Sequence, residues 1–206
     1  MKKYKTIIAV VIMVLVFIVG GAVAFFTDTD TKTNVFTVGN VDITLTEPNW
    51  DDTDTNSDGV PDAAEGLMPG DSVDKDPLIT NTGSSDAYVF TKVEIPCTSD
   101  ASAEEIFTYT INSGWYLMTN GSCTNGTATK IYAYGSSSAM TALPSTSGSN
   151  TTPTLFDTIS LNSTIDGTET GLSGNKSVVV TGYGVQTTGL GSATTPSAIW
   201  TAASFN

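Results

Sequence analysis

The chain opens with three lysines, Lys2, Lys3 and Lys5, and an almost unbroken apolar run over residues 7–26. Beyond it the hydrophobic pattern changes to period two. In VFTVGNVDITLTE, Val41, Ile43 and Leu45 alternate with Asp42, Thr44 and Thr46. In AYVFTKVEI, Ala87, Val89, Val93 and Ile95 share one face, and Tyr88, Phe90, Lys92 and Glu94 share the other. Successive side chains of an extended strand point to opposite sides, so each run predicts a strand with one buried face. IFTYTI, GWYLM, KIYAY, LFDTISL and KSVVVTGYGVQ predict further strands, and DPLITNTG a short one ended by Asn81-Thr82-Gly83. Clusters of Gly, Ser, Thr and Asn separate them, which is turn chemistry. Short strands in this number, without long helices, predict an antiparallel β-sandwich or barrel. SAIWTAAS, after Pro196, predicts a short helix.

The stretch 135–153 is rich in Ser, Thr and Gly. It is long for a connection and reads as a mobile surface excursion. Its LPSTSG has Ser147 where a sortase signal has glycine, and no hydrophobic tail follows. Covalent wall anchoring by that route is rejected.

The apolar run has the form of an export leader. Gly20 and Gly21 interrupt it, and Ala22-Val23-Ala24 is a small-x-small processing signal, predicting cleavage after Ala24 and a mature start at Phe25. Signal peptidase is then a partner during export, and membrane contact is confined to the leader before cleavage. The run is also about long enough to span a bilayer, so retention as an anchor stays open. A type IV pilin leader fits less well. Its processing site precedes the apolar run, and MKKYKT has neither Gly nor Ala there. The predicted organisation is a signal peptide over 1–24, a flexible segment over 25–34 and one β-sandwich domain over 35–206. The 182 residues after the leader suffice for a single core.

Charge narrows the partners. The leader holds three of the eight lysines and none of the 21 acids, leaving the mature chain at −16, with no arginine. Such a surface repels nucleic acid and anionic lipid. Eleven of the acids lie between Asp42 and Asp76. Within them, DTNSDGVPDAAE over 54–65 has the spacing D-x-[DN]-x-[DN]-G-x5-E of a calcium loop. Ca2+ takes oxygen ligands, which Asp54, Asn56, Asp58, the Val60 carbonyl, Asp62 and Glu65 supply in order, with Gly59 at the sharp turn. Pro48 before the loop and Gly66 and Pro69 after it argue against long flanking helices. Pro61 lacks the N–H that a paired loop uses to bridge to a second one. The prediction is a solitary loop inserted between strands, against the plainer reading of a solvated acidic loop.

Cys97 and Cys123 are the two cysteines, and an exported chain permits a disulfide between them, against two buried thiols. With no histidine, HExxH and every Ser-His or Cys-His pair are impossible. Glu104 and Glu105 read as a solvated turn rather than an acid–base pair. Enzymatic activity is not expected. Trp115, Tyr116, Tyr132 and Tyr134 would serve an adhesin face, although aromatics at strand spacing are more often packing.

The leader running into AFFTDTDTKTNVFTVGNVDITLTEPNW resembles the camelysin/TasA family of exported Gram-positive proteins. MPGDSVDKDPLITNTGSSDAYVFTKVEIP is similar to its middle block, and LFDTISL, VVVTGYGVQ and AIW to its later ones. The resemblance implies a jelly-roll β-sandwich processed by a dedicated signal peptidase. It also implies a secreted subunit of biofilm-matrix fibres, assembling with itself or with related matrix subunits. The N-terminal extension of one subunit then completes a sheet of the next, with Phe25, Phe26, Val35 and Phe36 in the donor region. A monomeric adhesin or accessory matrix protein is the alternative, and a camelysin-like surface metalloprotease a more remote one. The calcium loop and the Ser/Thr-rich excursion look like insertions relative to the plainer family pattern.

Overall fold

The computed structural model describes residues 39–99, 102–146 and 148–205. The leader, its processing site at Ala22, Ala24 and Phe25, and the donor residues Phe26, Val35 and Phe36 lie outside them.

The described chain is an all-β antiparallel sandwich. Its strands are β1 (Ile43–Thr46), β2 (Ser72–Asp74), β3 (Leu78–Asn81), β4 (Ala87–Pro96), β5 (Phe107–Thr108), β6 (Trp115–Asn120), β7 (Thr127–Tyr134), β8 (Thr158–Leu161) and β9 (Val179–Gln186). One helix, α1 (Pro196–Ala202), and one 3-10 turn (Asp62–Ala64) complete it. The sheets run β6-β7-β4-β9, β2-β8-β5 and β1-β3.

The four-stranded sheet is covered on both faces, and the alternation in β4 shows why. Ala87, Val89, Val93 and Ile95 are fully buried in the main core with Ile79, Trp115, Tyr132, Leu155 and Phe156. The opposite side of β4 presents Tyr88 and Phe90, which pack with Ile199, Trp200 and Phe205 from the C-terminal segment. Phe90 lies edge-on to Trp200 at 5.2 Å between ring centroids, and Tyr183 of β9 lies 5.1 Å from the same ring. Each such aromatic contact adds about 0.5–1.5 kcal/mol to the area buried. α1 begins where its sequence dictates. Thr195 caps it by accepting from the Ala198 N–H at 3.4 Å, and Pro196 occupies the first turn, where no N–H is needed.

Two predicted features come out differently. IFTYTI forms only the two residues of β5, and just past the run the Asn112 N–H donates to the Leu155 carbonyl at 2.8 Å. Tyr109 and Ile111 nonetheless reach the core. The stretch 135–153 is stitched onto the sandwich rather than set apart from it. Leu143 exchanges two backbone hydrogen bonds with Ala87, of 3.0 and 2.7 Å, and is 1% exposed. Thr152 accepts from the Ile79 N–H at 3.0 Å. β2 went unread in the sequence because three residues with one apolar position make no pattern.

Cys97, just past β4, is bonded to Cys123 in the β6–β7 connection, with a Cα–Cα distance of 6.0 Å. Closing a loop of this size stabilises a fold by about 3 kcal/mol on the chain-entropy account.

Candidate functional site: an acidic loop and an open sheet margin

The acidic loop organises itself through short-range bonds. The Asp54 carboxylate accepts backbone N–H groups of Ser57 (2.7 Å), Asp58 (3.3 Å) and Gly59 (2.9 Å). Gathering three successive amides forces Ser57 and Gly59 to positive φ, 60° and 86°, which is why glycine stands at the turn. Asn56 accepts from the Asp58 N–H, and Asp58 from the Val60 N–H, both at 2.9 Å. The Asn56 side-chain NH2 donates to Glu65 at 2.7 Å and to Asp58 at 3.3 Å. A partly positive nitrogen therefore lies between two carboxylates. Asp62 accepts from the amide and the hydroxyl of Thr55. The Thr55 hydroxyl bond, then its amide bond, hold the Asp62 carboxyl below its ordinary value. Thr53 does the same for Asp51.

The base of the loop is pinned. Lys75 pairs with Glu47 at 2.8 Å and sits 4.9 Å from the Trp50 ring centroid. Asp76, 3% exposed, accepts from both the backbone and the side chain of Asn49, each at 2.9 Å. These contacts join the segment between β1 and the loop to the segment after β2.

Of the other predicted residues, Trp115 and Tyr132 are core, and Tyr134 packs against that core. The Tyr132 and Tyr109 hydroxyls share a 2.9 Å hydrogen bond, and burial, followed by that bond, pushes the Tyr109 phenol far above its ordinary value. Tyr116 points the other way along β6 and is half-buried. Glu105 pairs with Lys130 at 2.7 Å, while Glu104 accepts from the Thr164 hydroxyl at 2.7 Å, so the two do not act as a pair.

Sequence reading missed a feature at the side of the sandwich. β9 is the margin of the four-stranded sheet, and β1 is the margin of its own two-stranded sheet. β1 stacks directly over β9. A Cβ on Gly184 would lie 2.9 Å from Ile43 Cγ2 and 3.2 Å from Val41 Cγ1, so only glycine permits this approach. Among the described residues, β1 pairs only with β3 and β9 only with β4. Two unpaired backbone edges thus lie on the same side. Val41, Ile43, Leu45, Val178 and Val180 are only partly buried there, and Val179 is 49% exposed. Neither β1 nor β9 carries the charge or proline that usually guards an exposed edge. The signal was present in GYGVQ, whose glycines alternate with Tyr183 and Val185.

The fold and these two features define a β-sandwich protein with an ordered acidic excursion and a side that is incompletely paired among the described residues. The family profile described as camelysin metallo-endopeptidase matches residues 1–108, and the chain belongs to that family. No curated protein and no solved structure matches it. The family description implies a metal, and a peptidase zinc is held by imidazole, thiolate and carboxylate ligands. The chain has no histidine, and its two cysteines are bonded to each other. Among the described residues, no three Asp, Glu, Cys or His side chains gather into a metal-holding group. These residues do not fit a zinc centre of that kind.

Proposed function

We infer that this chain is an exported structural subunit of extracellular matrix fibres, assembled by strand donation. The observation that supports this reading is the open margin formed by β1 and β9. An extended peptide adds to such an edge through main-chain hydrogen bonds, while alternate side chains fill the pockets beside it. The donor is the segment 25–34 of a second copy or of a related matrix subunit, with Phe25 and Phe26 as anchors and Val35 and Phe36 at its junction with the domain. A jelly-roll description of the sandwich and processing after Ala24 belong to the same reading.

Calcium is the second part of the proposal. Asp54, Asn56, Asp58, the Val60 carbonyl, Asp62 and Glu65 would hold Ca2+; their four carboxylates are not gathered into one metal-holding group here, so the loop would have to close on the ion, with Asn56 turning its oxygen inward. The ion would then replace the Asn56 NH2 that now lies between Asp58 and Glu65. Bound calcium supplies charge neutralisation and stiffens the excursion. Isothermal titration of the mature protein should give saturable heat at millimolar calcium or below; no heat ends this part.

Negative-stain electron microscopy of residues 25–206, with calcium and with chelator, tests the whole. Filaments are expected, and deletion of residues 25–33 should abolish them. Unchanged filaments after the deletion would contradict strand donation. Monomers under every condition would favour an accessory or adhesin role. The family description supports a peptidase reading as well, which requires chelator-sensitive casein cleavage by the pure protein.

A further inference from the structure

The chain contains five Asn-x-Ser/Thr triplets, at Asn120, Asn125, Asn150, Asn162 and Asn175. The middle residue is never proline, so each is formally an acceptor for N-glycosylation. The fold sorts them into two kinds.

Asn150 and Asn162 are half-buried and engaged. The Asn150 side-chain NH2 donates to the Asn81 carbonyl at 2.9 Å, and the Thr152 hydroxyl two residues on is buried against the Ile79 N–H. The Asn162 NH2 donates to the Glu105 carbonyl at 3.0 Å. The Asn162 side-chain oxygen accepts from the Thr164 N–H at 3.1 Å and from its hydroxyl at 2.8 Å. A sugar on either nitrogen would leave it one N–H and would have to be fitted beside a half-buried side chain already held against the sandwich.

Asn120, Asn125 and Asn175 are exposed. Neither their amides nor the hydroxyls of Ser122, Thr127 and Ser177 bond to another described residue. Asn120 closes β6, and Asn125 stands in the turn before β7 with a positive φ of 53°, followed by Gly126 at 81°. All three belong to one end of the four-stranded sheet. The Cys97–Cys123 bond and the Cys97 N–H to the Gly126 carbonyl (2.8 Å) tie the β6–β7 turn to the end of β4. The Ser99 N–H, donating to the Thr170 carbonyl at 2.8 Å, brings in the loop that carries Asn175.

We propose that Asn120, Asn125 and Asn175 are N-glycosylation sites that clothe this end of the sandwich. The co-reactant is a saccharide linked to a polyprenyl phosphate or diphosphate. The asparagine Nδ2 bonds to the anomeric carbon as the bond from that carbon to the phosphate oxygen breaks. The lipid phosphate leaves with the electron pair, the amide proton passes to a base on the transferase, and nothing is oxidised or reduced. The proposal rests on the export reading above, because the transfer takes place outside the cytoplasm.

The test is glycopeptide mass spectrometry on the protein from the organism that makes it, after separating cellular from extracellular fractions. Saccharide is expected on the peptides holding Asn120, Asn125 and Asn175, with Asn150 and Asn162 bare. The N120Q/N125D/N175Q variant should be secreted with no saccharide mass, since those side chains bond to no other described residue and Asp, like Asn, tolerates the positive φ at position 125. Extracellular protein with all three asparagines bare overturns the proposal and leaves export standing. Occupancy at Asn150 or Asn162 equal to that at the exposed sites overturns the sorting by burial. Protein confined to the cell with bare asparagines overturns export and the proposal together.

Discussion

Two polar excursions leave the sandwich, and they are held by opposite means. The acidic loop over 51–65 places none of its side chains in the core and is organised by carboxylates gathering nearby amides. The stretch 135–153 has no ionisable side chain, yet it sends Leu143 into the core and pairs its backbone with Ala87. Polar composition therefore does not decide whether a segment stands apart. A single buried aliphatic side chain contributes about 1.5–3 kcal/mol, as much as about two typical hydrogen bonds. The first loop is shaped by itself, the second by what it sits on.

That contrast breaks most visibly at Leu143. Leu143→Ala should cost about 2–5 kcal/mol and lower the urea midpoint of the whole domain. A loss below about 1 kcal/mol would mean that the site collapses and the stretch is not an integral part of the core. Thr152→Val comes next. It leaves the buried Ile79 N–H without its side-chain acceptor, at a cost of about 1–3 kcal/mol in the same titration. Asp58→Asn should leave the urea midpoint unchanged without calcium while weakening the calcium titration. A lowered midpoint without the ion would make the loop a structural part of the domain.

The smallest effect is one of pH. Asp62 and Asp51 have carboxyls held below their ordinary value by threonine hydrogen bonds. Such groups contribute order that is present above the unfolded value, near pH 4, and lost as pH falls through the lower folded one. The protection of the Thr55 amide, measured against its intrinsic exchange rate, should therefore fall on acidification below about pH 4. The protection of Leu143 should not follow it, since its own N–H donates to the Ala87 carbonyl rather than to a carboxylate. A parallel fall at both would show that the two excursions unfold as one.

The turn of the acidic loop was legible because the side-chain bonds that shape it join residues no more than nine apart, so spacing alone could place Gly59 there. β4 was legible for a related reason. Its two faces have different coverings, and its alternation of aliphatic against aromatic and charged residues records that difference. Leu143 was not legible, because one leucine among serines and threonines carries no period. The margin of β1 and β9 was not either. Alternation identifies a strand without saying which neighbours it has.

Alternating side chains, turn residues, the leader pattern and the calcium spacing are local properties, and the sequence by itself determined them. The outermost strands of the sheets, the entry of 135–153 into the core and the division of five acceptor asparagines into free and engaged were decided only by tertiary structure. Each depends on which distant segments come together. Asn162 is held by Glu105 and Asn150 by Asn81, while the Asn120 side chain meets no partner among the described residues. Burial and hydrogen bonding across the chain, rather than the triplet itself, set that difference.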